Sequence, residues 1–272
     1  IEYSSNARLF FHQQIKRKES DDIICSGKVE VCFYDQNKNR LVYLGEAASS
    51  EFWDEQWSTL QTTKQKIESK RNPVVTGKTK KYLPKGSRVL EGGCGQGEFV
   101  YLLEKSGFST IGVDFAKKTV KKINALFPSL DIRFGDIRNM DFEDGFFDGY
   151  WSFGVIEHFY DGYEDIVIEM SRVLRPQGYL FMIVPTMSPL RKYLSQKGKY
   201  PLWEPQSQNV EKFYQFALDA NKIVTDFENA GFKLLEMRPY GGLKGFKDEV
   251  TFLKPVLQPV FDSQNIFVKV IK

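Results

Sequence analysis

Four glycines within six positions, Gly92, Gly93, Gly95 and Gly97, constrain this chain more than any other feature. They follow a short apolar run, Val89 and Leu90, that reads as a buried strand stopping at the acidic Glu91. Beyond them, the run from Phe99 to Leu103 resumes at helical spacing. A strand, a glycine turn and a helix start turn backbone N–H groups outward and let a ligand approach the main chain closely. Two known nucleotide loops do not fit. In Gly93-Cys94-Gly95-Gln96-Gly97 the third glycine falls one place early for G-x-G-x-x-G, with Glu98 where it should stand. No Gly-Lys-Ser/Thr ending follows, so the phosphate loop is absent as well. On these residues alone, an ordinary tight turn stays open beside a ligand cradle.

From Arg88 onward the pattern alternates strand and helix, the sign of a mostly parallel sheet with helices on both faces. Strands are expected at 88–91, 110–113, 131–134, 147–153, 179–184 and 232–237, with a last one at 268–271. Helices are expected at 97–106, 117–126, 161–174 and 213–230, the third opened by a capping-box spacing in Asp161-Gly-Tyr-Glu164. Three acids close successive strands: Glu91, Asp114 and Asp136. Ligands of open α/β sheets sit at these strand ends. Asp114 stands 23 residues after Glu91, the separation expected of a carboxylate that grips a ribose. Each acid alone reads as a helix cap or a solvated turn; three in succession are harder to dismiss.

Composition removes several classes of function. With 42% hydrophobic and 27% charged residues in 272, the chain reads as a soluble globular protein with a sizeable core. A net charge of +3 is near neutral, so no nucleic-acid partner is expected. No apolar run approaches the ~18 residues of a membrane span. Three cysteines without a C-x-x-C and only two histidines, His12 and His158, leave no zinc spacing, so no metal is expected. The absence of G-x-S-x-G removes the usual serine hydrolase. Cys94 reads as a space-filler in the turn, and the cysteine pattern fits a reducing cytoplasm.

Residues 1–65 read as an N-terminal appendage, and 66–272 as the main domain with an insertion at about 186–212. Phe10 to Lys18 is expected to form a short basic helix, and Lys28–Tyr34 with Arg40–Leu44 a β-hairpin around a turn-rich stretch. A dimer arm and a lid are both open as its role, so a homodimer is one expectation. Ser49 and Ser50 are placed to cap a following helix, on which Phe52, Trp53 and Trp57 share one face. Packing on the domain is the favoured reading of that face, and a lid the alternative. In the insertion, Arg191, Lys192, Lys197 and Lys199 mix with Tyr193, Tyr200 and Trp203. A solvated loop is the default reading; an anionic or glycosylated acceptor is the functional one.

Val89–Gly97, Gly112–Asp114, Gly135–Asp136, Phe147–His158 and Arg172–Gly178 resemble, in order, successive motifs of the small-molecule type of class I S-adenosylmethionine (SAM) dependent methyltransferases. The resemblance spans about residues 85–240. It implies an α/β, Rossmann-like, mostly parallel seven-stranded sheet with helices on both faces, to which the N-terminal hairpin and helix are appended. It implies SAM as cofactor and S-adenosylhomocysteine (SAH) as product. Glu91 and the turn Gly92, Gly93, Cys94, Gly95 and Gly97 would hold the methionyl end, Asp114 the ribose, and Phe115 would lie against the adenine. Asp136 and the Ile137 backbone would read the adenine edge, while Ser152 and Phe153 would line the sulfonium side. His158 is the one histidine placed to act as base or to touch substrate; orienting the next loop is the alternative. Some relatives bind a metal through Glu-x-x-Glu-His, but Gly154 takes the first position here. The nucleic-acid signatures Asn/Asp-Pro-Pro-Tyr and Pro-Cys are missing, so the expected acceptor is a small molecule, or a lipid- or glycan-linked one. Two rivals stand beside this: a non-catalytic SAM or nucleoside sensor or scaffold, and an NAD-dependent oxidoreductase, which the early third glycine disfavours.

Overall fold

The computed structural model describes residues 2–3, 9–16, 23–31, 33–35, 40–42, 49–59, 64–197, 215–239 and 264–271. At the N-terminus, β1 (Glu2–Tyr3), β2 (Leu9–Lys16) and β3 (Ile23–Val31) form a three-stranded antiparallel sheet, and β4 (Phe33–Asp35) pairs with β5 (Arg40–Val42). The basic helix expected from Phe10 is thus corrected to a strand. A short isolated helix is marginal in water, whereas the extended chain pairs with β3 from Leu9↔Val31 to Lys16↔Ile23. The hairpin forms around the turn-rich stretch, but most of its expected first strand belongs to β3.

Three helices lead into the main sheet: α1 (Ser50–Thr59), α2 (Lys64–Glu68) and α3 (Pro73–Tyr82). The Ser49 hydroxyl caps α1 by accepting from Phe52 N at 3.1 Å. The Asn72 side chain caps α3 by accepting from Val74 N and Val75 N, with Pro73 opening the first turn. Neither α2 nor α3 is expected from the lysine-rich sequence around them.

The main sheet has the order β11-β12-β10-β9-β6-β7-β8. Its centre is β6 (Arg88–Gly92), β7 (Ser109–Asp114), β8 (Asp131–Phe134), β9 (Phe147–Phe153) and β10 (Leu174–Pro185), all parallel. At the far edge β11 (Phe232–Pro239) and β12 (Gln264–Ile271) run antiparallel, β12 lying against β10. Helices α4 (Glu98–Lys105), α5 (Lys117–Leu126), α6 (Glu164–Val173), α7 (Pro189–Gln196) and α8 (Ala220–Asn229) complete the chain.

Neighbouring residues of one strand enter different cores. Leu90, Tyr150 and Met182 join one apolar cluster with Met170 and Phe227, while Val89, Trp151 and Phe181 join another with Val75 and Leu103. Burial on both faces explains why these strands read as continuous apolar runs without alternation.

Two helix starts differ from expectation. At α6 the capping box does not form: Tyr163 is the N-cap and its side chain makes no cap bond, with Gly162 turning at φ 103° just before it. The helix expected from 213 begins at α8 instead, where the Asp219 carboxylate accepts from Asn221 N and Lys222 N. Lys199, Tyr200 and Trp203 of the expected insertion lie outside the described residues, as does 213–214.

Candidate functional site

The glycine turn is folded against the end of β7. Gly93 N and Cys94 N both donate to Val113 O, at 2.8 and 3.1 Å, and Gly95 N donates to Asp114 Oδ2 at 2.7 Å. Gly93, Gly95 and Gly97 take φ values of 73°, 50° and 69°, the left-handed region that side chains resist. Space forbids side chains too: a Cβ at Gly93 would come within 2.6 Å of Val155 Cγ2, and one at Gly95 within 2.6 Å of the Trp57 ring. Gly97 is the N-cap of α4.

A cavity of about 510 Å³ opens over this turn. Glu91, Gly93, Cys94 and Gly95 line it from the first strand end, Asp114 and Phe115 from the second, and Asp136 and Ile137 from the third. Phe153 and His158 line it from the end of β9. Gly92, Gly97 and Ser152 do not. A Cβ on Gly92 would strike the Tyr150 hydroxyl, so that glycine serves packing. Ser152 is fully buried, its Oγ without a hydrogen-bond partner. Cys94 is buried, and its Sγ occupies the space a Cβ on Gly112 would need, 2.8 Å away. Burial raises its thiol pKa well above the usual value, consistent with a space-filler.

The floor of the cavity is acidic. Glu91 is 2% exposed and its Oε2 has no partner. Burial raises its pKa well above the ordinary carboxylate value; the Val100 N–H works against this, and nearby Asp114 and Glu98 add to it. Asp114 accepts from Gly95 N and from Ala116 N at 2.8 Å, bonds that only partly offset the upward effect of burial. A buried carboxylate oxygen with no partner is costly unless a ligand supplies one.

Helix α1 roofs the cavity. Trp53 stacks on Trp57 at 5.8 Å, and its other side meets His158 edge-on at 4.7 Å. Both tryptophans line the cavity. The helix is held there by a cap it gives to another element. The N-cap of α5 is Ala116, which makes no side-chain cap bond. Asp54 instead accepts from Lys118 N at 3.0 Å, Thr119 N at 2.8 Å and Thr119 Oγ1 at 2.9 Å, and Ser50 Oγ accepts from Lys117 N. Gln96 Nε2 ties the far end of the helix by donating to Trp57 O.

His158 is 6% exposed and closes the 3₁₀ turn Ile156–His158. Beside it Glu157 is buried, with Oε1 4.0 Å from His158 Nε2 and Oε2 without a partner. Burial pushes the Glu157 carboxyl up to about 8. Among the described residues, no three His, Cys, Asp or Glu side chains gather as a metal-binding group.

Sequence reasoning missed several lining residues: Lys66, Lys70, Glu98, Phe99, Arg138 and Phe159. Lys70 pairs with Glu98 and lies 4.8 Å over the Phe99 ring. Phe99 stacks on Phe153 at 4.2 Å, continuing through Trp151 to Phe181. The two lysines belong to a polar, lysine-rich stretch with no motif of its own, and Phe99 reads as an ordinary position of the helix at 97–106.

An acidic floor suited to a cation, at the carboxyl ends of a parallel sheet and under a glycine turn, is the setting of a class I SAM-dependent methyltransferase. Residues 90–182 match the family model described as a methyltransferase domain. A protein of Mycolicibacterium smegmatis, named a probable S-adenosylmethionine-dependent methyltransferase, is 32% identical over 152 residues, 55% of this chain and 53% of its own length. A Bos taurus protein named probable tRNA methyltransferase 9B is 30% identical over 139 residues, 50% of this chain and 30% of its own. A crystal structure of a Pyrococcus horikoshii protein shares the fold, with TM-score 0.54 and 21% identity over 78% of this chain and 92% of its own. The chain spans about half the length of the first of these relatives, or less for the second. SAM is the cofactor of this family, and the orphaned Glu91 oxygen beside Asp114 fits a cationic, hydroxyl-bearing ligand. No helix among the described residues is long and apolar enough to cross a membrane.

Proposed function

We propose that this chain transfers the methyl group of SAM to a small-molecule or lipid- or glycan-linked acceptor held between His158, Phe159 and the roof helix. The observation that carries the reading is Glu91: a buried carboxylate at the glycine turn, one oxygen unpartnered, in the wall of the cavity. When bound, SAM supplies an electrophilic methyl on a sulfonium that leaves readily.

The chain's own residues do the rest. Glu91 and the turn take the methionyl end, Asp114 the ribose hydroxyls, and Phe115 lies along the adenine, whose edge faces Asp136 and the Ile137 backbone. Aromatic walls from Phe153, Phe99 and Trp53 exclude water and favour a cationic centre. Holding the acceptor in line with the methyl contributes much of the acceleration. Where the acceptor atom must lose a proton, His158 receives it. The α1 roof serves as the lid over this site, and through Asp54 it ties the 1–65 appendage to the 66–272 domain.

The aromatic acceptor side supports a small acceptor group. The near-neutral charge does not remove RNA from consideration, because one relative is named as a tRNA methyltransferase. The test is calorimetric titration with SAM and SAH, with NAD as control. Binding of both SAM ligands but not NAD is expected. Binding without turnover across an acceptor panel that includes tRNA would favour the sensor reading, and binding of NAD alone the oxidoreductase.

A further inference from the structure

Among the described residues, Arg138 is one of three cations in the cavity wall, with Lys66 and Lys70, that the cofactor reading leaves unused. It stands two residues after Asp136 in a tight turn, where Asn139 N donates to Asp136 O at 3.1 Å. The Asp136 carboxylate holds it from one side. Oδ1 accepts from Arg138 N at 2.9 Å and from Nε at 3.0 Å, while Oδ2 accepts from Nε at 3.0 Å and from Nη2 at 2.6 Å. From the other side the guanidinium lies 5.4 Å from the centre of the Phe159 ring. The turn itself is anchored to α6: Met140 N donates to Glu169 Oε1 at 2.5 Å, and Arg172 Nη2 donates to Met140 O at 2.9 Å. Arg138 is therefore oriented before any ligand arrives.

Two consequences follow from counting donors and acceptors. A carboxylate has about four acceptor positions, and three N–H groups of Arg138 occupy most of those of Asp136, the single Nε–H being shared between its two oxygens. The Ile137 backbone then carries most of the adenine edge, and Asp136 works chiefly as the holder of the arginine. A guanidinium has five N–H donors, and Asp136 uses only those on Nε and Nη2. Among the described residues Nη1 has no hydrogen-bond partner, on a side chain that lines the cavity beside Phe159. A planar fork with donors to spare, beside the Phe159 ring, suits an oxyanion on a flat or apolar molecule.

We propose that Arg138 determines acceptor specificity: the acceptor carries a carboxylate or phosphate, and Arg138 binds it. The claim rests on the methyltransferase reading for the word acceptor, and on the Asp136–Arg138–Phe159 geometry for the anion.

The test uses the full chain with SAH bound, titrated with benzoate, phenyl phosphate and the neutral benzyl alcohol, followed by tryptophan fluorescence and calorimetry. At least one anion is expected to bind tenfold or more tighter than the alcohol, roughly the factor that hydrogen bonds to a charged group provide. Which anion wins identifies the source of the charge. Arg138→Gln is expected to abolish the preference while SAH affinity stays within about twofold. Arg138→Lys keeps the charge without the fork; it is expected to retain part of the preference, and it keeps the test readable if the glutamine variant does not fold. Equal affinity for all three probes, no binding of either anion, or a preference that survives Arg138→Gln overturns the proposal. SAH binding is measured in the same series, so failure of the methyltransferase reading shows itself separately.

Discussion

At the scale of single residues, the buried acids control both ligand binding and stability. Asp114→Ala is expected to weaken SAM binding by about 1–3 kcal/mol through lost charged hydrogen bonds; calorimetry showing unchanged affinity would place the ribose elsewhere. His158→Ala is expected to leave SAM affinity intact and lower turnover at saturating SAM, and an unchanged rate removes it from the proton path. Glu157 gives a pH signature. An unperturbed glutamate loses its proton near 4.5, whereas burial holds that of folded Glu157 to about 8. Between these values the folded protein keeps a proton that the unfolded chain has released. Stability is thus full below the lower value and declines as pH rises toward the upper one. Glu157→Gln should flatten that decline by on the order of a few kcal/mol between pH 5 and 8.5 in urea titrations. A residual slope should remain, because Glu91 and Asp114 are raised in the same direction. At this scale the lining acids were legible, because Glu91 and Asp114 close apolar strand runs and Asp136 follows the third strand by two residues. Arg138 was not: an arginine two places after an aspartate looks like any surface pair until the turn and Phe159 are seen around it.

At the scale of elements, the aromatic face of α1 shows how a packing stripe and a lid can be one thing. Trp57 seals the glycine turn and Trp53 meets His158, while the cap from Asp54 to α5 fixes the helix in place. That cap could not be read from the chain, since Asp54 and Lys118 are 64 residues apart and local capping patterns reach only three or four. By contrast α5, β8 and β9 begin and end where the pattern predicted, because each is bounded by local punctuation such as Pro128 and Gly135. Asp54→Ala should cost about 1 kcal/mol of stability, the usual value of a lost N-cap. It should also weaken SAH binding by loosening the roof. Stability lost with no change in SAH affinity would mean that α1 caps α5 but does not cover the cofactor.

At the scale of the whole molecule, the segment before the glycine turn is strapped across the sheet to its opposite edge. Helix α3 covers the face carrying Trp151 and Phe181, with Trp151 Nε1 donating to Thr79 Oγ1 at 3.0 Å. Its polar side reaches β11, where Glu236 takes contacts from Lys78, from Lys81 at 3.3 Å and from Tyr82 Oη at 3.1 Å. The sequence concealed this strap: Gly77 and the β-branched Val74, Val75, Thr76 and Thr79 are poor helix formers, and only burial against the sheet makes the segment helical. The hydrogen bond and charge of Lys78, aided by Lys81 and Tyr82, hold the Glu236 carboxyl down at about 2, against an ordinary 4.5. Its contribution is therefore present above the ordinary value and lost as pH falls toward about 2. Because the group is partly open to solvent, the expected loss for Glu236→Gln is only about 1 kcal/mol at neutral pH. Urea titrations at pH 7 and pH 3 measure this: the variant should be less stable than the parent at pH 7, and the gap should narrow at pH 3. A constant gap would mean that the strap holds by packing alone, with Lys78 and Glu236 merely adjacent.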